Sequence, residues 1–191
     1  MGCGAGNNAR FLKEKGKIVD GITLSQEEVI IATKYCRNVL MHNLENGLPE
    51  QLEPNYDVIF CSHVLEHIAY PEKLLSDIRE ILKADDSILL VALPNFMCYG
   101  NRFKILLGNF EYEKYGIMDY THLRWYTYKS AIKMLEENGF EILNAFAEKM
   151  LPWRTVLGYL PVSFQNFISG VLVWMSKGLF GSQFIFIAKP K

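Results

Sequence analysis

The sequence predicts an α/β fold on a mostly parallel sheet, and three observations carry that expectation. Helix-period and strand-period segments alternate along nearly all of the 191 residues. A glycine-rich turn, Gly2-Cys3-Gly4-Ala5-Gly6, stands directly before a helical segment. Two short, mainly apolar runs, Tyr56–Cys61 and Ser87–Leu93, have the pattern of buried strands. The length suits one domain spanning residues 1–191. Half of the residues are hydrophobic, enough for a sizeable core, and a net charge of −1 gives no electrostatic footprint for nucleic acid.

In order along the chain, residues 7–15 read as a short helix with Phe11 and Leu12 on its apolar side. Lys17–Ile22 is a strand. Ser25 then opens a helix, with Glu28 three residues later to complete a capping box and with Val29, Ala32 and Tyr35 facing inward. Arg37–Met41 is a short strand, and Tyr56–Cys61 a buried one. Pro71 marks the start of a helix, where a missing N–H costs nothing. Leu74, Leu75, Ile78, Ile81 and Leu82 form its apolar face, and Asp85-Asp86 breaks it. After the strand Ser87–Leu93, residues 96–126 are irregular and aromatic, an expected lid or substrate segment. Thr127 caps a helix that stops at Asn138-Gly139, and Glu141–Ala147 is a strand.

Residues 150–181 form a helical insertion before a last strand, Gln183–Ala188. Its helix, 163–177, carries Phe164, Phe167, Ile168, Val171, Leu172 and Met175 on one stripe. Core or dimer packing is the expectation for that stripe, ahead of peripheral membrane contact, because its polar face lacks basic residues. Two late strands without a crossover helix between them predict an antiparallel last strand.

Targeting signals are poor. The N-terminus has no basic region followed by an apolar stretch, and Gly6 stands where a myristoylation motif wants Ser or Thr. The uncharged stretch between Arg154 and Lys177 is interrupted by Pro161, and the part beyond the proline is shorter than the ~17 residues of a span. Cys3, Cys36, Cys61 and Cys98 are scattered singly, which predicts reduced thiols in a cytoplasmic protein and no zinc ribbon.

The glycine loop, the strand end Gly21-Ile22-Thr23-Leu24-Ser25, and the run Tyr56-Asp57-Val58-Ile59-Phe60-Cys61-Ser62-His63-Val64-Leu65-Glu66-His67-Ile68 together resemble class I, S-adenosylmethionine-dependent methyltransferases. The similarity is to the type 11/type 23 small-molecule group, which includes ubiquinone-biosynthesis O-methyltransferases and enzymes of bacterial surface-polysaccharide loci. Asp119-Tyr120-Thr121-His122-Leu123-Arg124-Trp125-Tyr126-Thr127 resembles the same group. The resemblance implies a Rossmann-like three-layer sandwich with S-adenosylmethionine over the carboxyl ends of the strands. It puts Gly2, Cys3, Gly4 and Gly6 by the methionine portion and Thr23 and Leu24 by the ribose and adenine. Asn43 and Leu44 border the adenine, and Ser62, His63 and Val64 lie beneath the sulfonium.

Three departures from that family stand out. Its first strand is largely missing ahead of Gly2. Thr23 stands in place of the ribose-binding acid; losing a hydrogen bond to a charged group predicts roughly ten- to hundredfold weaker binding. Asn43 replaces an Asp beside the adenine.

Methyl transfer from a sulfonium needs alignment first and, for a hydroxyl acceptor, a general base. His67 with Glu66, and His122 in the aromatic segment, are the candidate catalytic residues; the bland alternatives are turn packing and capping. Asp119 and Arg124 either bind a polar substrate or pair with each other. Tyr99, Phe103, Phe110, Tyr112 and Tyr115 either line an acceptor pocket or form a satellite core. No metal is expected. The sequence therefore predicts methyl transfer to a small-molecule or saccharide acceptor, mainly on oxygen. The alternative is a methyltransferase-fold domain without activity, and a NAD(P)-dependent oxidoreductase ranks third.

Overall fold

The computed structural model describes residues 1–83, 86–152 and 157–191. Helix α1 (Asn7–Glu14) follows the glycine loop and leads to β1 (Asp20–Thr23), α2 (Gln26–Ala32) and β2 (Asn38–Met41). A 3-10 turn at Leu44–Asn46 precedes β3 (Val58–Ser62), and another at Leu65–His67 precedes α3 (Pro71–Ile81). Then come β4 (Ile88–Pro94), α4 (Tyr99–Leu106), α5 (Tyr128–Glu137), β5 (Phe140–Lys149), α6 (Val162–Met175), α7 (Lys177–Phe180) and β6 (Gly181–Pro190).

Among the described residues the strands form two sheets, β1-β2 and β3-β4-β6-β5. The pairs β1-β2 and β3-β4 are parallel, and β6 runs antiparallel to both β4 and β5. That is the predicted arrangement of a parallel sheet closed by an antiparallel last strand. Residues 1–3 bridge the two sheets. The Met1 amino nitrogen donates to the Phe60 carbonyl at 2.7 Å, and the Cys3 N–H donates to the Ile22 carbonyl at 2.8 Å. The chain just ahead of the glycine loop thus lies between β1 and β3, where the sequence predicts a largely missing first strand.

The main core forms where α3 and α5 cover the larger sheet. Leu65, Leu75, Ile78, Leu89, Val91, Leu135, Phe140, Phe184 and Phe186 are fully buried. Full burial of a large apolar side chain stabilises by about 1.5–3 kcal/mol. The predicted α3 face is buried at Leu74, Leu75, Ile78 and Leu82 and partly at Ile81. Asp85, expected to break that helix, lies outside the described residues. A smaller cluster of Ala9, Ala32 and Cys36, with Cys3 and Tyr35 against it, seats α1 and α2 on the small sheet. Gly6 makes this approach possible: its φ is +82°, and a Cβ there would stand 3.2 Å from the Ala32 Cα.

Several local expectations change. Ser25 does cap α2 by accepting from the Glu28 N–H, but no reciprocal bond to the Ser25 N–H forms. The reciprocal box is made instead at Thr127 and Ser130, which start α5. Residues 99–106, read as irregular, are helix α4; no side chain caps it and Gly100 sits in its first turn, so the local signal is weak. The stripe on α6 does not enter this chain's core. Phe164, Phe167, Val171 and Met175 are exposed, while Ser169 and Val173 are buried. A small, internally bonded residue brings the helix closer than a large one would: the Ser169 hydroxyl donates to the Gln165 carbonyl at 2.8 Å. Among the described residues no helix is long and apolar enough to cross a membrane.

Candidate active site

The glycine loop sits at the carboxyl ends of β1 and β3. Gly2, Gly4 and Gly6 all have positive φ, at +58°, +51° and +82°, a region that side chains disfavour. A Cβ on Gly2 would lie 2.6 Å from Val64 Cγ2, so only glycine lets the loop settle on that floor. The result is a bare backbone cradle that a ligand can approach closely. Cys3 lends it backbone alone. Its sulfur turns toward Gly21 and the small core, its N–H is given to Ile22, and its carbonyl accepts from the Gly6 N–H at 2.9 Å. Burial raises the Cys3 thiol pKa, the buried Cys61 thiol is pushed up by burial to about 12, and all four cysteines are free.

Along the neighbouring strand ends, Thr23 is buried and its hydroxyl donates to the Glu28 carboxylate. Leu24 is 69% exposed, which leaves its side chain open to a ligand. Leu44 packs into the main core. The Asn43 side-chain oxygen accepts from the Glu45 N–H at 3.0 Å and so starts the 3-10 turn. Glu45 in turn accepts from the Ala69 N–H at 2.8 Å, tying this rim to the turn after β3. Asp20 lies at the far end of β1. Arg37 donates to it through Nε at 3.0 Å and Tyr56 through its hydroxyl at 2.9 Å. Burial pushes the Asp20 carboxyl up, but these bonds outweigh it and hold the group below the usual carboxylate range.

The end of β3 carries the titratable cluster. Ser62 is half-buried and Val64 buried. His63 has φ +53°, a left-handed conformation costing roughly 1–2 kcal/mol for a non-glycine residue. The turn is held by the His63 N–H bonding the Ala92 carbonyl at 3.0 Å and by the His63 Nδ1 meeting Glu66 Oε1 at 3.1 Å. The hydrogen bond to Glu66 raises the His63 pKa. Glu66 is fully buried, and its Oε2 has no partner among the described residues. Its backbone carbonyl accepts from Leu123 and Arg124 N–H groups at 2.8 and 2.9 Å, which pins the end of the aromatic segment to this turn.

That docking brings His122 to His67. Their rings meet edge to face with centroids 4.8 Å apart, and ligand atoms of Glu66, His67 and His122 all lie within 4.8 Å of one another. Each imidazole is held by Nδ1: His67 at 3.2 Å from the Thr121 carbonyl, His122 at 3.1 Å from the Ile117 carbonyl. A carbonyl fixes Nδ1 as the protonated nitrogen and leaves Nε2 with its lone pair. Among the described residues neither Nε2 has a partner. The trio has the donor set of a small cation site as well as of a proton acceptor. The sequence points to no metal because it does not show His122 beside the pair.

Asp119 and Arg124 do not pair. Asp119 accepts from the Thr121 N–H at 2.8 Å, and Arg124 Nε donates to the Ala69 carbonyl at 2.7 Å. Of the five predicted aromatics, Phe110 and Tyr112 join a satellite cluster around Trp125, with Phe110 stacked on the indole at 4.9 Å. Tyr99 is half-buried and faces Phe180 at 6.3 Å, whereas Phe103 and Tyr115, like Phe110 and Tyr112, are exposed. Sequence reasoning does not reach Trp125 and Glu28 as site residues. A glutamate just behind a strand tip that lacks its acid is the available signal for the second.

Residues 1–145 fit the model of a methyltransferase domain. The chain belongs to that methyltransferase-domain family. A ubiquinone biosynthesis O-methyltransferase of Haemophilus ducreyi is 29% identical over 106 residues, which is 47% of this chain and 42% of the relative. The chain therefore spans less than half the length of that curated relative. Among solved structures, a SAM-dependent methyltransferase from Archaeoglobus fulgidus superposes with a TM-score of 0.66 at 21% identity, covering 98% of this chain and 83% of that one. Magnesium protoporphyrin IX methyltransferase from Synechocystis, solved with bound SAH, gives 0.60 at 17% identity, covering 100% and 71%. The methyltransferase fold expected from the sequence is therefore the fold of this domain.

Proposed function

We propose that this domain transfers a methyl group from S-adenosylmethionine to a hydroxyl of a small molecule. The observation that carries the reading is the pair of imidazoles, His67 and His122, each anchored at Nδ1 and open at Nε2, beside the buried Glu66. The cradle fits the cofactor: Gly2, Gly4 and Gly6 expose backbone where side chains would intrude, and Val64 floors the loop. The ubiquinone O-methyltransferase relative supports an oxygen acceptor.

When bound, the cofactor supplies an electrophilic methyl on a sulfonium. The chain's own residues do the rest. Val64 and the backbone of Gly2 exclude water beneath the reacting centre. An Nε2 of the His67–His122 pair accepts the proton of the acceptor hydroxyl as it attacks. The buried Glu66 carboxylate stabilises the positive charge that the imidazole gains. The segment 119–126, tied down through Glu66 and Ala69, closes the acceptor side.

The test is transfer of labelled methyl from S-adenosylmethionine to a panel of phenols, catechols and sugar hydroxyls, read by counting labelled product. His67→Gln or His122→Gln should lower the rate about 10²–10⁴-fold, the usual contribution of a general base, while S-adenosylhomocysteine binds as before. Full activity in both variants would remove the histidines from the mechanism. The second reading, a domain without activity, draws on Thr23 at the position of the ribose acid; failure of the unmodified chain to bind S-adenosylhomocysteine would establish it.

A further inference from the structure

Ser25 and Glu28 have the spacing of a capping box, yet only half of the box forms. The Ser25 hydroxyl accepts from the Glu28 N–H at 3.4 Å, but the Glu28 carboxylate does not return to the Ser25 N–H. It turns to the end of β1, where Oε2 accepts the Thr23 hydroxyl proton. The other oxygen faces the glycine loop: Oε1 is the heavy atom nearest to where a Gly4 side chain would stand, at 3.8 Å, an ordinary van der Waals distance. Among the described residues Oε1 has no hydrogen-bond or ion-pair partner. A carboxylate held by one oxygen and open at the other therefore stands between the strand tip and the middle glycine.

Nucleotide-binding α/β folds place a carboxylate for the ribose hydroxyls there, about 20 residues after the glycine motif. The strand tip of this chain offers no acid, because it ends at Thr23. We propose that Glu28, reaching back from the first turn of α2, is the ribose-binding acid of this domain, with Thr23 as the residue that positions it. The inference rests on the methyltransferase reading above. Chemically the roles are complementary. A carboxylate has about four lone-pair sites, so it can accept from Thr23 and still accept from a vicinal diol. The Thr23 hydroxyl, buried and committed as a donor, fixes the carboxylate orientation rather than replacing it. On this account Thr23 does not predict weak cofactor binding, since the acid has moved from the strand to the helix.

The test compares, by calorimetric titration, S-adenosylhomocysteine with its 2′,3′-dideoxyribose analogue on the unmodified chain, Glu28→Gln and Glu28→Gln/Thr23→Asp. The unmodified chain should prefer the natural ligand about tenfold to a hundredfold, the range for hydrogen bonds to a charged group. Glu28→Gln should erase most of that preference while leaving the affinity for the analogue unchanged. Restoring an acid at the strand tip in the double variant should bring the preference back. A purely structural role for Glu28 would weaken both ligands alike. Equal binding of both ligands by the unmodified chain, or an undiminished preference in Glu28→Gln, would overturn the assignment while leaving the methyltransferase reading standing. No binding of either ligand by the unmodified chain would overturn both.

Discussion

Replacing Gly2 by alanine tests the glycine cradle most directly, because the structure supplies its own control. At Gly2 two penalties combine. The φ of +58° costs an alanine about 1–2 kcal/mol. The new Cβ would also stand 2.6 Å from Val64 Cγ2. Carbon atoms pack best at about 3.5–4.0 Å, so roughly 1 Å must open. Val64 is buried at 6% exposure and cannot swing away. Overpacking of this kind costs about 1–3 kcal/mol. Gly16, at the end of α1, has a similar φ of +72° and nothing within 4 Å of its virtual Cβ. Gly16→Ala therefore carries the backbone penalty alone. The loss of unfolded-chain entropy, about 0.4–1 kcal/mol in favour of alanine, is common to both and cancels in the comparison. The expected result in urea denaturation is that Gly2→Ala is less stable than Gly16→Ala by about 1–3 kcal/mol. In a Val64→Ala background the extra cost should shrink toward zero, since the clashing methyl is gone. Titration with S-adenosylhomocysteine should show weakened binding for Gly2→Ala and none of that weakening for Gly16→Ala. Two alanine variants of equal stability, within about 0.5 kcal/mol, would refute the packing argument for this loop.

Two pH experiments probe the two sheets separately. Asp20→Asn breaks charge-assisted bonds at the end of β1 away from the cradle, so it should destabilise by about 1–3 kcal/mol at pH 7 without changing S-adenosylhomocysteine affinity. Because the folded Asp20 carboxyl lies below its unfolded value of about 3.9, its stabilisation is present above that pH and lost as pH falls through the folded value. The gap between Asp20→Asn and the unmodified chain should therefore close under strongly acidic denaturation, and a gap that persists would refute the linkage. His63 has the opposite sign. Its folded pKa is raised, so its stabilisation is complete below the unfolded value of about 6.5 and is lost as pH rises through the folded value. His63→Asn, chosen because asparagine tolerates positive φ, should flatten the decline in denaturation midpoint above neutrality; an unchanged slope would show that another group titrates there.

Much of the fold was legible because its signals are local. The runs at Tyr56–Cys61 and Ser87–Leu93 are mainly apolar, which marks both as strands; β4 is buried along most of its length, whereas Val58 at the start of β3 is 44% exposed. Gly2, Gly4 and Gly6 mark a backbone that other residues disfavour, and Thr127 and Asn138-Gly139 bracket α5 by capping chemistry. The α6 stripe shows the limit of such reasoning. Periodicity reveals that Phe164, Phe167, Val171 and Met175 share a side but not what that side faces, and the side buried in this chain holds Ser169 and Val173.

For the candidate site, the sequence by itself determined the parts: a glycine loop, a β3 end carrying His63, Glu66 and His67, and a second region with His122. Tertiary structure alone decided how they combine. Docking of the Leu123 and Arg124 N–H groups on the Glu66 carbonyl makes neighbours of His67 and His122, which are far apart in the sequence. The same holds for Glu28. Its spacing from Ser25 specifies a capping box, and the helix could use its carboxylate for that. The buried Thr23 hydroxyl needs a partner within the fold, because an unmet buried polar group costs about 1–3 kcal/mol. That demand, visible only once β1 and α2 are packed together, draws the carboxylate to Thr23 and leaves its other oxygen facing the glycine loop.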